Sequence, residues 1–430
     1  MTKAVELIVH GAAQLLTLAG RGPRCGEGMS QLGIVTDGAV AIGDGRVVAV
    51  GSTPEVLGCY RASRQIDAGG RVVLPGLIDP HTHVVFAGSR EGEFEQRIAG
   101  ASYLEIMAAG GGIMNTVRAT RAAPLSELIE EAKPRLARML AHGTTTAEAK
   151  TGYGLTTAAE IKCLDAAHHL NGLQPLELIP TFLGAHAVPA EYKGQAGVYV
   201  ELVINEMLPA VCEWARSAQE ACSDSGLPFC DVFCDEGAFD LGQTHHVLEA
   251  AKAAGMPLKV HADEFVHLGA AKLSAELGAV SADHLLRTPV AELQAMAQAG
   301  VVAVLLPGTP FGLGQDHYAD ARAMIDAQVP VALGTDLNPG TCYCESMLFI
   351  MGLACRYMRM TPAEAVVAST VNAAHAIGRG HDLGCLQPGF VADLILLDAA
   401  DYRHMAYRFG ANLVQMVIKR GKVVAVAQDE

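Results

Sequence analysis

No run of roughly 18 residues in this chain is free of polar side chains, so nothing reads as a membrane-spanning helix. The first residues are apolar, but Glu6, His10 and Gln14 interrupt them and no small-residue cleavage site follows, so no secretory leader is expected. Basic charge is scarce. The chain has 31 lysines and arginines against 46 acidic residues, a net charge of −15, which would repel nucleic acid and anionic membrane surfaces. A small anionic substrate stays open, because it needs only one or two local cations. The eleven cysteines include no C-x-x-C pair, which excludes a zinc ribbon and points to reduced thiols in a cytoplasmic protein. Gly110-Gly111-Gly112 and "PGTPFGLGQDH" (307–317) lack phosphate-loop spacing and read as loops, the second as a lid.

What is present is apolar and alternating. Hydrophobic residues make up 50% of the 430, enough for one large core and a second small one. "GAVAIGDGRVVAVG" (38–51) reads as two strands about a Gly-Asp-Gly turn. "MVIKRGKVVAV" (416–426) repeats that pattern about Arg420-Gly421, and "ADLILLD" (392–398) adds a strand before it. Both termini are therefore expected to build one small β-sandwich domain, 1–72 with 385–430, around a body at 73–384.

That body alternates short β-rich runs with helical patterns. The runs are "VVLPGLIDPHTH", "TTTAEAKTGYG", "ELIPTFLGAH", "FCDVFCDE", "PLKVHADEF", "AVSADHLL", "VVAVLLPG" and "PVALGTDLNPG". Thr157 with Glu160 reads as a capping box for a helix ending near Asn171-Gly172. Thr361-Pro362-Ala363-Glu364 reads as another, with Gly378 as its stop. Eight strands alternating with helices over about 300 residues predict an α/β fold, a (β/α)8 TIM-type barrel.

The unusual polar residues follow the apolar part of the strands: His81 and His83, then Glu148, Lys150 and Tyr153, His186, Asp235 and Glu236, His261 and Glu264, His284, and Asp336 with Asn338. In a barrel those C-terminal ends form one ring, where such folds keep their chemistry. His81 and His83 alternate on one strand and project to the same side. With His261 and Asp336 they make a three-nitrogen, one-oxygen set for a divalent ion, which would lower the pKa of bound water to about 7 and give hydroxide. His284 and Glu264 are then candidates to move protons or steady an oxyanion. Asp336, followed by Asn338 and Gly340, also reads as a turn residue. Arg90, seven residues beyond His83, suits a carboxylate tail, although a surface pair with Glu91 or Glu93 is the plainer alternative.

"PGLIDPHTH", "VHADEF", "SADHL" and "GTDLNPG", in that order, resemble the amidohydrolase superfamily. "DPHTHVVFAGSREGEFEQRIAGASYLEI", "TVRATR", "AKTGYGL", "TFLGAHAVPAEY", "DVFCDEGAF" and "TDLNPGT" resemble its imidazolonepropionase family in particular, from about Gly38 to Asp398. The resemblance implies hydrolysis of the lactam C–N bond of 4-imidazolone-5-propanoate to N-formimidoyl-L-glutamate in L-histidine degradation, by attack of a metal-bound hydroxide. It implies one zinc or iron ion per subunit and a homodimer. It makes His81, His83, His261 and Asp336 the metal ligands and Arg90, Tyr103, Tyr153 and His186 substrate-binding residues. Glu264 and His284 then lie beside the attacking water, and Asn338, Gly340 and Thr341 contact the glutamate part. Which of Glu264, His284 and Asp336 performs each proton step stays open.

Superfamily members with two metals bridge them with a carboxylated lysine on the fourth strand. Here "VFCDEGAF" has none, which favours one metal. Tyr343 and Cys344 depart from the family pattern and leave the shape of the last loop open. The alternative enzyme is a mononuclear nucleobase deaminase such as guanine deaminase, whose substrate lacks the acidic tail that Arg90 and the "NPGT" loop suit. A barrel acting only as a scaffold would have lost its ligands, and all four are here.

Overall fold

Two hairpin turns show how local sequence sets the small domain. Asp44-Gly45 and Arg420-Gly421 both hold positive φ at two successive residues, the geometry that reverses a two-residue hairpin with the right strand twist. In the computed structural model, which describes residues 2–101, 105, 110–221 and 226–427, these turns belong to two sheets. One has four strands in the order Arg46–Ser52, Gly38–Gly43, Lys3–Ala12 and Tyr60–Asp67. The other has six: Lys422–Val426, Val414–Lys419, Leu394–Leu397, Val72–Pro75, Gln14–Leu16 and Ile34–Val35. Leu7, Val9, Val40 and Ile42 of the first sheet pack with Val73, Leu394, Leu396 and Ile418 of the second, all buried, as in a sandwich.

The chain crosses from the six-stranded sheet into the barrel at Gly76, where a Cβ would collide with Thr145. "VVLPGLIDPHTH" therefore forms two strands, Val72–Pro75 and Leu77–Asp79, in different sheets. The barrel strands follow in sequence order: Leu77–Asp79, Thr144–Lys150, Glu177–Ala185, Phe229–Cys234, Lys259–Ala262, Ser281–His284, Val302–Leu305 and Val331–Leu333. All neighbouring pairs are parallel. The ring closes through a parallel bridge between Thr82 and Leu337 and through Asp79, whose carboxylate accepts Thr335 N–H at 3.0 Å and Thr335 Oγ1 at 2.6 Å. No helix among the described residues is long and apolar enough to cross a membrane.

Two helix expectations change. The helix Thr157–Leu173 is capped by Thr156, whose side chain accepts from Ala159 N–H. Thr157 instead donates to Glu206. Glu160 turns inward and accepts the N–H groups of Gly152, Gly154 and Leu155 at 3.0, 2.8 and 2.6 Å. It holds the loop after the second strand rather than closing a capping box, because three unpaired loop amides outcompete one N-cap amide. The Thr361–Glu364 box forms as expected, but its helix stops at Ala368 and a second begins at Val371, before Gly378.

Candidate active site

The first strand delivers its histidines on a braced segment. Thr82, between them, donates to Glu148 O at 2.5 Å and accepts Lys150 N–H at 2.9 Å. His83 N–H reaches Leu337 O at 2.9 Å, and Asp336 N–H reaches His81 O at 3.0 Å. The second and eighth strands thus grip the H-x-H stretch from both sides. His81 and His83 are 0% and 2% exposed, and His261, His284 and Asp336 are 2–3% exposed.

These side chains converge. The ligating atoms of His81, His83 and Asp336 lie within 4.8 Å of one another, as do those of His81, His261 and His284 and of His83, His186 and His261. Asp336 Oδ1 is 3.5 Å from His81 Nε2 and 3.6 Å from His83 Nε2. Burial holds His81, His83 and His284 well below the usual imidazole range and takes His186 down to about 3, so the rings are neutral donors of lone pairs. His81 Nε2, His83 Nδ1 and His261 Nε2 are buried with no hydrogen-bond partner in the protein. Buried polar nitrogens are ordinarily paired, so this cluster has the donor chemistry of a metal centre.

The remaining expected residues surround the cluster. His186 stacks on His83 with centroids 4.9 Å apart, and its Nδ1 meets Gly152 O at 3.1 Å. Gly152 has φ 102°, and a Cβ there would press on the His186 ring. Tyr153, buried beside both rings at 5.7 and 5.4 Å, is kept a neutral phenol chiefly by burial. Glu264 Oε2 lies 3.6 Å from His284 Nε2, and burial pushes its carboxyl well above the usual range. Burial raises Asp336 to about 6 against the pull of Thr309, whose hydroxyl donates at 2.5 Å. His284 and Asp336 both hold left-handed backbone, φ 75° and 55°, which costs about 1–3 kcal/mol each and is typical of functional sites.

Arg90 opens a helix (Glu91–Ile98) and pairs with Glu93 through Nε at 2.9 Å and Nη2 at 2.7 Å, the plainer alternative raised by the sequence. Its Nη1 lies over Gly340, where a Cβ would collide with it. Asn338 folds the next turn on itself: its Oδ1 accepts Gly340 and Thr341 N–H at 2.8 Å each, and its Nδ2 donates to Asp336 O at 2.7 Å. Asn338 therefore shapes the loop, while Arg90, Gly340 and Thr341 line a cavity of about 570 Å³ together with Phe311 and Tyr343. None of the clustered histidines lines it. Tyr103 lies outside the described residues.

The sequence reading missed Asp231, Asp283 and Lys259, all buried directly beneath the histidines. It noted Lys150 only among the polar residues at the end of the second strand. Lys150 contacts Asp231, Glu148 and Asp283 at 2.6, 3.1 and 3.3 Å, so it is held as an ammonium. The one available signal was charged residues inside otherwise apolar strands, "CDVF", "LKVH" and "SADH".

Fold and cluster together define a barrel hydrolase with a candidate metal centre. Residues 72–424 match the amidohydrolase family. Imidazolonepropionase of Chloroflexus aggregans is 53% identical over 420 residues, covering 97% of this chain and 98% of that protein. Imidazolonepropionase of Herpetosiphon aurantiacus is 50% identical, covering 96% and 97%. Among solved structures, guanine deaminase of E. coli superimposes with a TM-score of 0.74 over 98% of this chain and 100% of that one, at 16% identity. The chain belongs to the amidohydrolase family and, within it, to the imidazolonepropionases.

Proposed function

We propose that the protein hydrolyses 4-imidazolone-5-propanoate to N-formimidoyl-L-glutamate, with one zinc or iron ion per chain and a homodimeric assembly. The observation that carries this reading is full-length likeness, near 50% identity, to imidazolonepropionases. The site is consistent with it. His81, His83, His261 and Asp336 would hold the ion, which would polarise the ring carbonyl and ease ionisation of a water beside it.

This chain's own residues then divide the work. Arg90, steadied by Glu93, presents Nη1 to the propanoate, and a guanidinium–carboxylate pair orients the ring. Tyr153 and His186 wall the ring without bringing charge. Asp336 takes the proton of the attacking water as its oxygen bonds to the carbonyl carbon. His284 lies where it can steady charge on the carbonyl oxygen. Glu264, kept protonated by burial, donates to the ring nitrogen as the C–N bond breaks. The water oxygen ends in the new carboxylate and the nitrogen stays with the formimidoyl group.

A nucleobase deaminase shares the histidine cluster, but a nucleobase carries no carboxylate tail for Arg90 to pair with. The test is product identification. The purified protein receives imidazolonepropanoate made from urocanate by urocanase, and the mixture is analysed by mass spectrometry. N-formimidoyl-glutamate is expected. Its absence with metal-loaded protein, alongside ammonia release from guanine, would replace this reading with the deaminase.

A further inference from the structure

Five charged side chains beneath the histidines take no part in the steps above. Glu148, Lys150, Asp231, Lys259 and Asp283 are each at most 1% exposed. Asp283 Oδ2 meets His81 Nδ1 at 2.6 Å, and Asp231 Oδ2 meets His261 Nδ1 at 2.9 Å. Lys150 Nζ touches those same two oxygens, at 3.3 and 2.6 Å. The other oxygen of each carboxylate is also fixed, Asp283 Oδ1 by Ser281 Oγ at 2.6 Å and Asp231 Oδ1 by His261 N–H at 3.2 Å. Lys259 completes the lattice, reaching Glu148 at 2.8 Å and Pro80 O, just ahead of His81, at 3.0 Å.

With donors packed around both carboxylates, each ring proton belongs on Nδ1, which leaves a lone pair on Nε2. Both Nε2 atoms are among the buried nitrogens without a hydrogen-bond partner; His81 Nδ1 is hydrogen-bonded to Asp283, while His261 Nδ1 makes a close ion-pair contact with Asp231. We propose that Lys150 is a positioning residue of the metal centre: by clamping Asp231 and Asp283 together it fixes the tautomer and the orientation of His261 and His81. The proposal rests on the ligand assignment above. A merely structural role makes a different forecast. Buried ion pairs are often replaceable by apolar groups at little cost, and metal affinity would then be untouched.

The test strips the metal from purified protein and titrates zinc back against a competing chelator, with the cobalt(II) absorption spectrum as a second readout. Lys150→Met should weaken zinc binding by about 10- to 100-fold, the usual cost of losing a group that orients a ligand. Asp283→Asn should do the same, and the double variant should lose little more than the weaker single, because both act through one chain of contacts. Unchanged affinity and an unshifted cobalt spectrum in Lys150→Met would overturn the proposal, as would fully additive losses. If Lys150→Met does not fold, the isosteric Asp231→Asn and Asp283→Asn carry the test, and wild-type affinity in both overturns it. A wild-type protein that binds no zinc would instead sink the ligand assignment, so the two failures are distinguishable.

Discussion

The two ends of the barrel bury charge in opposite ways. At the N-terminal end, Glu177 begins the third strand and accepts from Arg379, Lys419 and Arg420 at 2.5, 3.1 and 3.2 Å. Lys419 also holds Asp393 at 2.6 Å, so this knot ties barrel to β domain with its charges paired. At the C-terminal end, buried imidazole nitrogens have no partner, and His284 and Asp336 sit on left-handed backbone. The first arrangement spends polar groups on holding layers together. The second leaves them unspent for a ligand, at some cost in stability.

Substitutions at each end should separate the two uses. His261→Ala should produce the largest effect, removing bound metal and activity together, beyond the ~10- to 100-fold expected for a supporting group. Metal content and turnover of the purified variant check this, and retained activity would break the ligand set. Arg90→Ala comes next. Losing a charged hydrogen bond of about 1.5–3 kcal/mol should raise KM roughly 10- to 100-fold with a smaller change in kcat. An unchanged KM would remove Arg90 from carboxylate recognition.

Glu177→Gln should leave turnover alone and lower stability. Cationic neighbours, Lys419 first, outweigh burial and bring the Glu177 carboxyl down to about 2 from its ordinary 4.5. A depressed carboxyl contributes stability that is full above its unfolded pKa and fades as pH falls from about 4.5 towards 2. The contribution at neutral pH is on the order of 3 kcal/mol. Denaturant melts of wild type and Glu177→Gln should therefore differ at pH 7 and converge near pH 2, and a constant gap would contradict the pairing. Thr156→Ala should cost least, about 1 kcal/mol as a lost helix cap, with Thr157→Ala costing less. The reverse order would restore Thr157 as the cap.

Much of this contrast was readable in the chain and some was not. The alternation of apolar runs and helix signals gave eight strands, and H-x-H at the end of "PGLIDP" marked the open end, because alternation puts both rings on one side. The lattice beneath was hidden. Asp283 lies 202 positions from His81, and Asp231 lies 30 from His261, separations that no local pattern encodes. The cap was misread for a related reason. Thr156 and Thr157 offer the same hydroxyl, and Glu160 is drawn away by loop amides that only the folded second strand presents. For Arg90 a pair with Glu91 or Glu93 was foreseen, and the structure forms the one with Glu93, three residues on, where the helix begins.

The most direct measurement is the zinc stoichiometry of turnover. Metal-stripped protein receives zinc in steps, and N-formimidoyl-glutamate formation is followed at each addition. The account predicts no product without metal and a rise that saturates at one equivalent per chain. Full turnover by the stripped protein, or saturation at two equivalents, would contradict it.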